Sequence, residues 1–218
     1  MHIDIFSDTI CPWCFIGKRR LERALAERPQ ADLTVRWRAF QLNPEMPEEG
    51  MERQRYLELK FGGAAGAESV YARVRDAGDS EGIAFAFDRI ARTPNTVASH
   101  RLIRFAAGQE REDAVVQALF DAYFLRGEDI GDPEVLSAAA AAGGLDAAEA
   151  QAFLEGDAEA EAVRSEDATA RQAGINGVPC FIFNGKYALS GAQPPEVMFR
   201  MFDLANEEAD TGADPVSG

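Results

Sequence analysis

Residues 1–14 read MHIDIFSDTICPWC, and the surroundings of the two cysteines decide the fold. Ile3 and Ile5 fall on one face and His2 and Asp4 on the other, the period-two pattern of a short strand. Pro12 suits the first position of a helix, where its missing N–H costs nothing. Ile16, Leu21, Ala24 and Leu25 continue at helical spacing until Pro29 stops the run. The Cys-x-x-Cys pair therefore sits between a strand and a helix. A cysteine at a helix N-terminus meets unpaired backbone N–H groups and the positive end of the helix dipole, which favour its thiolate. A second cysteine one turn into the helix can reach the first sulfur and close a disulfide. This reading makes Cys11 the exposed nucleophile and Cys14 the resolving thiol. The Cys11 thiolate attacks a disulfide, a mixed disulfide forms, and Cys14 releases it.

Outward from this stretch, Leu33, Val35 and Trp37 alternate with Thr34, Arg36 and Arg38 and predict a second strand. Strand, helix, strand with short connections is a parallel βαβ start. From about Pro47 to Gly174 the pattern is helical. Val116, Leu119, Phe120, Tyr123 and Phe124 keep the spacing of a buried helix face, and Ala98, Leu102 and Phe105 form another stripe. The Ala- and acid-rich stretch from Ser137 to Arg171, broken at Gly143-Gly144, predicts two or three more helices. Strand character returns at Cys180-Phe181-Ile182-Phe183, and Asn184-Gly185 is a hairpin signal with Lys186 to Leu189 as the return strand. Pro194-Pro195 opens a last helix with Met198, Met201, Phe202 and Ala205 on one face. The fold class is α/β. Residues 1–45 and 175–210 form one discontinuous domain, 46–174 an inserted helical domain, and 211–218 a disordered tail, with fraying from Glu207 on.

The 218 residues carry 46% hydrophobic and 27% charged side chains, ordinary values that exclude wholesale disorder. The net charge of −15 argues against a nucleic-acid partner and against docking on an anionic membrane surface. No window offers about 18 uncharged apolar residues, so no membrane span is expected. Neither a basic n-region nor an apolar signal stretch precedes Cys11, which points to the cytoplasm. Three cysteines are too few for a disulfide-stapled secreted scaffold. Structural zinc, the other use of such a pair, needs two further ligands. The chain offers only Cys180, His2, His100 and carboxylates, without a second Cys-x-x-Cys or a His-x-x-x-His, so no metal is expected. Gly62-Gly63-Ala64-Ala65-Gly66 lacks the dinucleotide fingerprint and its preceding strand.

Five stretches, DTICPWCFIGKRRLE, WRAFQLNPEMPEEG, YLELKFGG, TPNTVASHRL and GINGVPCFIFNGKYALSGAQ, span nearly the whole chain in that order. With them the chain resembles the DsbA-like branch of the thioredoxin superfamily, specifically the FrnE-type dithiol–disulfide oxidoreductases. The resemblance implies a thioredoxin-like fold with a large inserted all-α domain. It implies a cis bond at Val178-Pro179 beside Cys11, with Val178 offering backbone groups to an extended substrate. Pro12, Trp13, Val178 and Pro179 are then the substrate-binding set, and Pro12 and Trp13 tune the couple. No ionisable His lies between the cysteines as in the strongly oxidising periplasmic relatives, so a less oxidising potential is expected. Cys180 departs from the pattern after the loop proline. It is either a small buried hydrophobe or a third redox sulfur.

Other residues have two roles open to them. Asp8, three positions before Cys11, can cap the loop or accept a proton from Cys14 during resolution. His100, off the Ala98/Leu102/Phe105 stripe, can be a hydrogen-bonded helix residue or a glutathione or substrate contact. Asn43 and Asn95 suit local turns or caps. The function expected is thiol–disulfide exchange with disulfide-containing proteins or small thiols, without a bound cofactor and with glutathione as a possible exchange partner. A homodimer is compatible with this reading. Two alternatives stand beside it. One is a glutathione-dependent isomerase or transferase of the related kappa-like branch, whose members typically place Ser where Cys11 stands. The other is a non-catalytic redox-sensing binding module.

Overall fold

The computed structural model describes residues 1–211. Strand β1 (His2–Ser7), helix α1 (Pro12–Glu27) and strand β2 (Thr34–Ala39) form the parallel βαβ start, with Ile3 opposite Val35 and Ile5 opposite Trp37. Strands β5 (Cys180–Phe183) and β6 (Tyr187–Ser190) complete a four-stranded sheet of order β2-β1-β5-β6, in which β5 is antiparallel to both neighbours. The hairpin between them turns on Asn184 and Gly185 at φ +50° and +68°, the left-handed pair its sequence signals. Its loop is three residues rather than two, since Lys186 N–H closes the turn on Phe183 O and the return strand starts at Tyr187, opposite Phe183. Asn184 also takes the His2 amide on its side-chain oxygen and donates to Ala205 O, tying the turn to β1 and the last helix.

Successive strand residues face opposite sides of the sheet. Ile3, Ile5, Phe181 and Phe183 share the main core with Phe15, Ile16 and Leu21 of α1 and with Met198, Phe202 and Ala205 of the last helix. Phe6, Cys180 and Ile182 belong to a second cluster with Phe40, Ala170 and Ile175.

Helices intervene between β2 and β5. They are α2 (Arg53–Phe61), α3 (Ala64–Asp79), α4 (Val97–Ala107), α5 (Glu112–Phe120), α6 (Pro133–Ala142), α7 (Ala147–Glu155) and α8 (Ala160–Gln172). The acid-rich stretch thus yields three helices, and the first two part at Gly143, where a Cβ would stand 2.5 Å from Val115 Cγ2. A two-residue ladder of β3 (Met51–Glu52) and β4 (Arg92–Thr93) brackets α2 and α3, too short to leave a period-two signal. The expected stripe on α4 is shifted. Ala98 and Phe105 are half-buried, while Leu102, Ile103 and Ala106 are buried together with Ser99 and His100. The reason is that α4 packs against β2, α5, α6, α7 and α8, so several of its faces are covered at once. The last helix, α9 (Pro195–Thr211), extends past Glu207, where fraying was expected. Residues 212–218, with nearly all of the expected tail, lie outside the described residues.

Candidate active site

The turn from β1 into α1 places the two cysteines. Cys11 is the N-cap of α1 with extended backbone (φ −92°, ψ 110°), and Pro12 follows inside the first turn. The Cys11 carbonyl accepts the Cys14 amide at 3.0 Å, and the Cys11 amide donates to Asp8 O at 3.0 Å, so the loop is fixed before the helix begins. Both cysteines are free thiols. Cys14, one turn on, is 1% exposed. Burial holds its thiol well above the ordinary range, and contact with the Cys11 sulfur adds to this, against smaller opposing hydrogen bonds from Ser7 and the Asp8 backbone.

Cys11 is 4% exposed and so is not the open nucleophile that the sequence suggested. No side chain caps the helix; instead the Cys11 sulfur lies 3.6 Å from Val178 O, to which its S–H donates. The residues that cover it come from the far end of the chain. The Val178-Pro179 peptide bond is cis, Pro179 is buried, and its carbonyl accepts the Gly191 amide at 2.8 Å. Pro12, Trp13 and Val178 are half-buried around the sulfur-bearing turn, with Trp13 and Val178 packed on the main core.

Gly17 escaped the sequence reading. A Cβ there would stand 2.9 Å from Pro179 Cγ and 3.2 Å from Phe181 Cζ, so only glycine lets α1 meet the proline loop at this distance. The signal was present: a glycine inside a helix costs about 1 kcal/mol against alanine and usually has a packing reason. Ser7, which meets the Cys14 sulfur, left no such signal.

Asp8 and His100, read separately in the sequence, are neighbours. His100 Nε2 lies 3.5 Å from Asp8 Oδ1, and neither atom has a hydrogen bond. Asp8 Oδ2 accepts the Leu42 amide at 2.6 Å. Leaving a buried polar atom unpaired typically costs about 1–3 kcal/mol, so this pair is expensive to keep. Asn95 accepts the Val97 amide and donates to Met46 O, a local turn at the start of α4. Asn43 donates to the Tyr56 hydroxyl and accepts from Lys60.

Cys180 lies apart from the pair in bonding and in layer. It sits in the second cluster, its thiol raised by burial, and lines a cavity of about 480 Å³ with Ile175, Val178 and Ser190. Among the described residues no three His, Cys, Asp or Glu side chains converge as metal ligands. No helix among them is long and apolar enough to cross a membrane.

The arrangement has clear counterparts. The sequence profile of the DSBA-like thioredoxin domain matches residues 2–202. A probable DsbA oxidoreductase from Streptomyces coelicolor is 32% identical and superposes with a TM-score of 0.87 over all of this chain and 93% of its own. Two likenesses of lower identity concern the fold alone. The cytosolic disulfide reductase DsbM from Pseudomonas aeruginosa, solved also with GSH, is 20% identical with a TM-score of 0.66 over 94% of this chain and all of its own. A 2-hydroxychromene-2-carboxylate isomerase is 17% identical with a TM-score of 0.69 over the full length of both chains.

Proposed function

The chain belongs to the DSBA-like thioredoxin family, and on that premise we propose that it is a thiol–disulfide oxidoreductase working through Cys11 and Cys14. The observation that carries this reading is the meeting of the Cys11 sulfur with Val178 O at the head of α1, with the Cys14 thiol buried behind it. The unequal burial supports an order of attack. Cys14 holds its proton, so Cys11 is the sulfur that reacts first. Its thiolate attacks a substrate disulfide; a Cys11–substrate bond forms, and the other substrate sulfur leaves with the bonding pair and takes up a proton. Cys14 then gives up its proton and attacks the Cys11 sulfur. The intramolecular disulfide forms, the second substrate sulfur leaves, and two electrons have passed from the dithiol to the substrate. Running backward, the same steps oxidise a substrate dithiol.

Pro12, Trp13, Val178 and Pro179 are proposed as the substrate-facing set. Because Val178 O now takes the Cys11 S–H, an incoming extended segment would exchange that contact for its own. Burial of Cys11 means that Trp13 or the Val178-Pro179 loop must shift to admit it. Disulfide-bearing proteins and small thiols are the proposed partners. Glutathione is the proposed exchange thiol, supported by the DsbM structure with GSH, and the cytoplasm is the proposed compartment. No bound cofactor is needed for these steps.

The test is capture. Cys14→Ser should accumulate mixed disulfides through Cys11 when incubated with insulin or with oxidised glutathione, while Cys11→Ser should form none. A chain that conjugates glutathione to an electrophile but neither traps insulin nor reduces it would instead belong with the isomerase and transferase relatives. A Cys14→Ser variant that captures nothing, in a chain that turns over neither substrate, would leave the redox-sensing module.

A further inference from the structure

Directly beneath the cysteine loop lies a polar pair that the exchange steps above leave unused. Asp8 is fully buried, with Oδ2 on the Leu42 amide and Oδ1 without a hydrogen bond. His100, 3% exposed, comes from α4 of the helical insertion and brings Nε2 to 3.5 Å from that oxygen. Next to them Thr9 and Ser99 share a buried hydroxyl bond of 2.8 Å, which pins the same two segments together. The approach of Asp8 and His100 is therefore set by the backbone on both sides. Hydrogen bonds that serve proton transfer are often long before substrate arrives and tighten during reaction.

The pair adjoins the buried thiol. Asp8 O accepts the Cys11 amide at 3.0 Å, while the Asp8 N–H and the Ser7 hydroxyl both bond the Cys14 sulfur. Ser7 and His100 line one cavity of about 10 Å³, roughly the room of a single water. A hydroxyl both donates and accepts, so Ser7 can pass a proton between the sulfur and that cavity. The other charged groups here are Arg38 from β2, tied to Asp4 and to Glu166 of α8, and Arg104 from α4, tied to Glu159 and Glu166. Each is already matched by carboxylates. Asp8 Oδ1 and His100 Nε2 are buried without a hydrogen bond, as is the uncharged Gln41 Nε2, next in the chain to Leu42.

We propose that His100, held by Asp8, accepts the Cys14 proton by way of Ser7 as substrate is released. The proposal rests on the dithiol exchange proposed above. As the Cys14 sulfur attacks Cys11, its proton moves toward the His100 imidazole, and the Asp8 carboxylate stabilises the resulting cation. The Cys14 electron pair forms the Cys11–Cys14 bond, and the pair of the broken Cys11–substrate bond leaves on the substrate sulfur. In the reverse direction the imidazolium returns the proton to Cys14 as the disulfide opens. The His100 imidazole and the Asp8 carboxylate are positioning groups for this transfer: Asp8 meets the Cys14 sulfur only through its backbone N–H, and the two side chains act on it by way of Ser7. The helical insertion thereby supplies a working part to the cysteine site.

Mixing the reduced chain with a symmetrical nitrothiobenzoate disulfide separates the steps: the first coloured thiolate reports attack by Cys11, the second reports closure by Cys14. In His100→Gln and in Asp8→Asn the second phase should slow about tenfold or more while the first stays within about twofold, and the pH dependence of the second phase should flatten. The double variant should be no slower than the slower single one, because the two residues act as a unit. An unchanged second phase, or both phases slowed alike, overturns the proposal. A wild-type chain that releases one equivalent and stops removes the exchange reading itself, a result that no His100 variant influences. Should the variants fail to fold, the wild-type chain still decides. It has two histidines, so His2→Gln assigns the His100 ring resonance. At one pH that resonance should shift between the dithiol and disulfide forms, and an unchanged resonance overturns the proposal.

Discussion

The sulfur of Cys11 lies 3.6 Å from the carbonyl oxygen of Val178, a residue 167 positions further along the chain. The contact holds because α1 comes against the Val178-Pro179 loop at a glycine, and the consequences of that packing can be measured.

Gly17→Ala sets two effects against each other. Alanine gains about 1 kcal/mol of helix propensity, whereas forcing a methyl to within 2.9 Å of the Pro179 ring costs about 1–3 kcal/mol. Overpacking should win or break even, and the proline loop should move away from Cys11. The expected result is a melting temperature unchanged or lowered, with insulin reduction slowed several-fold. A variant more stable than wild type and equally active would show that the loop does not depend on this close approach.

Lys18, one turn beyond Cys14, is a buried ammonium whose side chain is 3% exposed, bonded to Glu22 and, at 2.8 Å, to Asp113 of α5. The two carboxylates are 41% and 62% exposed, so water can serve them when the lysine is absent. The reverse does not hold. Lys18→Met should therefore cost less than about 1 kcal/mol, while Glu22→Gln with Asp113→Asn, which strands the cation, should cost about 1–3 kcal/mol. Urea midpoints of the two variants check the order, and its reversal would count against the account.

Cys180 alternates with Phe181, and the alternation puts its side chain in the cluster with Phe40, Ala170 and Ile175, away from the core that α1 shares with Phe181. Cys180→Ala should leave the exchange rate within about twofold, as its side chain packs in a different cluster from Cys11 and Cys14. Mass mapping of the oxidised wild-type chain should find only the Cys11–Cys14 linkage. A disulfide that includes Cys180 would restore it as a third redox sulfur.

Burial holds the Cys14 thiol well above its ordinary range and pushes Cys180 up. In the unfolded chain both titrate near about 8.5. Below that pH both states keep their protons and the folded state keeps its full advantage. Above it the unfolded chain sheds protons that the folded chain retains, so stability falls as pH rises toward the folded values, by up to about 1.4 kcal/mol per pH unit for each thiol. Tyr71 and Tyr123, both raised mainly by burial, add to the loss above the ordinary tyrosine range. The urea midpoint of the reduced chain should thus drop between about pH 8 and 10, and Cys14→Ala should make the drop shallower. An equal slope in wild type and variant would contradict the burial account.

The strand–helix start was legible because its signals are local. Alternation in Ile3 and Ile5, Pro12 at the head of α1, and Asn184-Gly185 at the hairpin each act within a few residues. The short β3–β4 ladder was not legible, since two residues make no period. The burial of His100 was hidden too, because a helix covered on several sides shows no single apolar stripe.

The sequence by itself determined that Cys11 heads a helix with Cys14 one turn behind, which is a matter of backbone propensity and spacing. Only the tertiary structure decided that Cys11 is covered by Val178, that Gly17 receives Pro179, and that Asp8 faces His100. Those pairs join residues from about 90 to 170 positions apart, and their meeting depends on how the sheet and the helical insertion pack, a cooperative outcome that no short window of sequence carries.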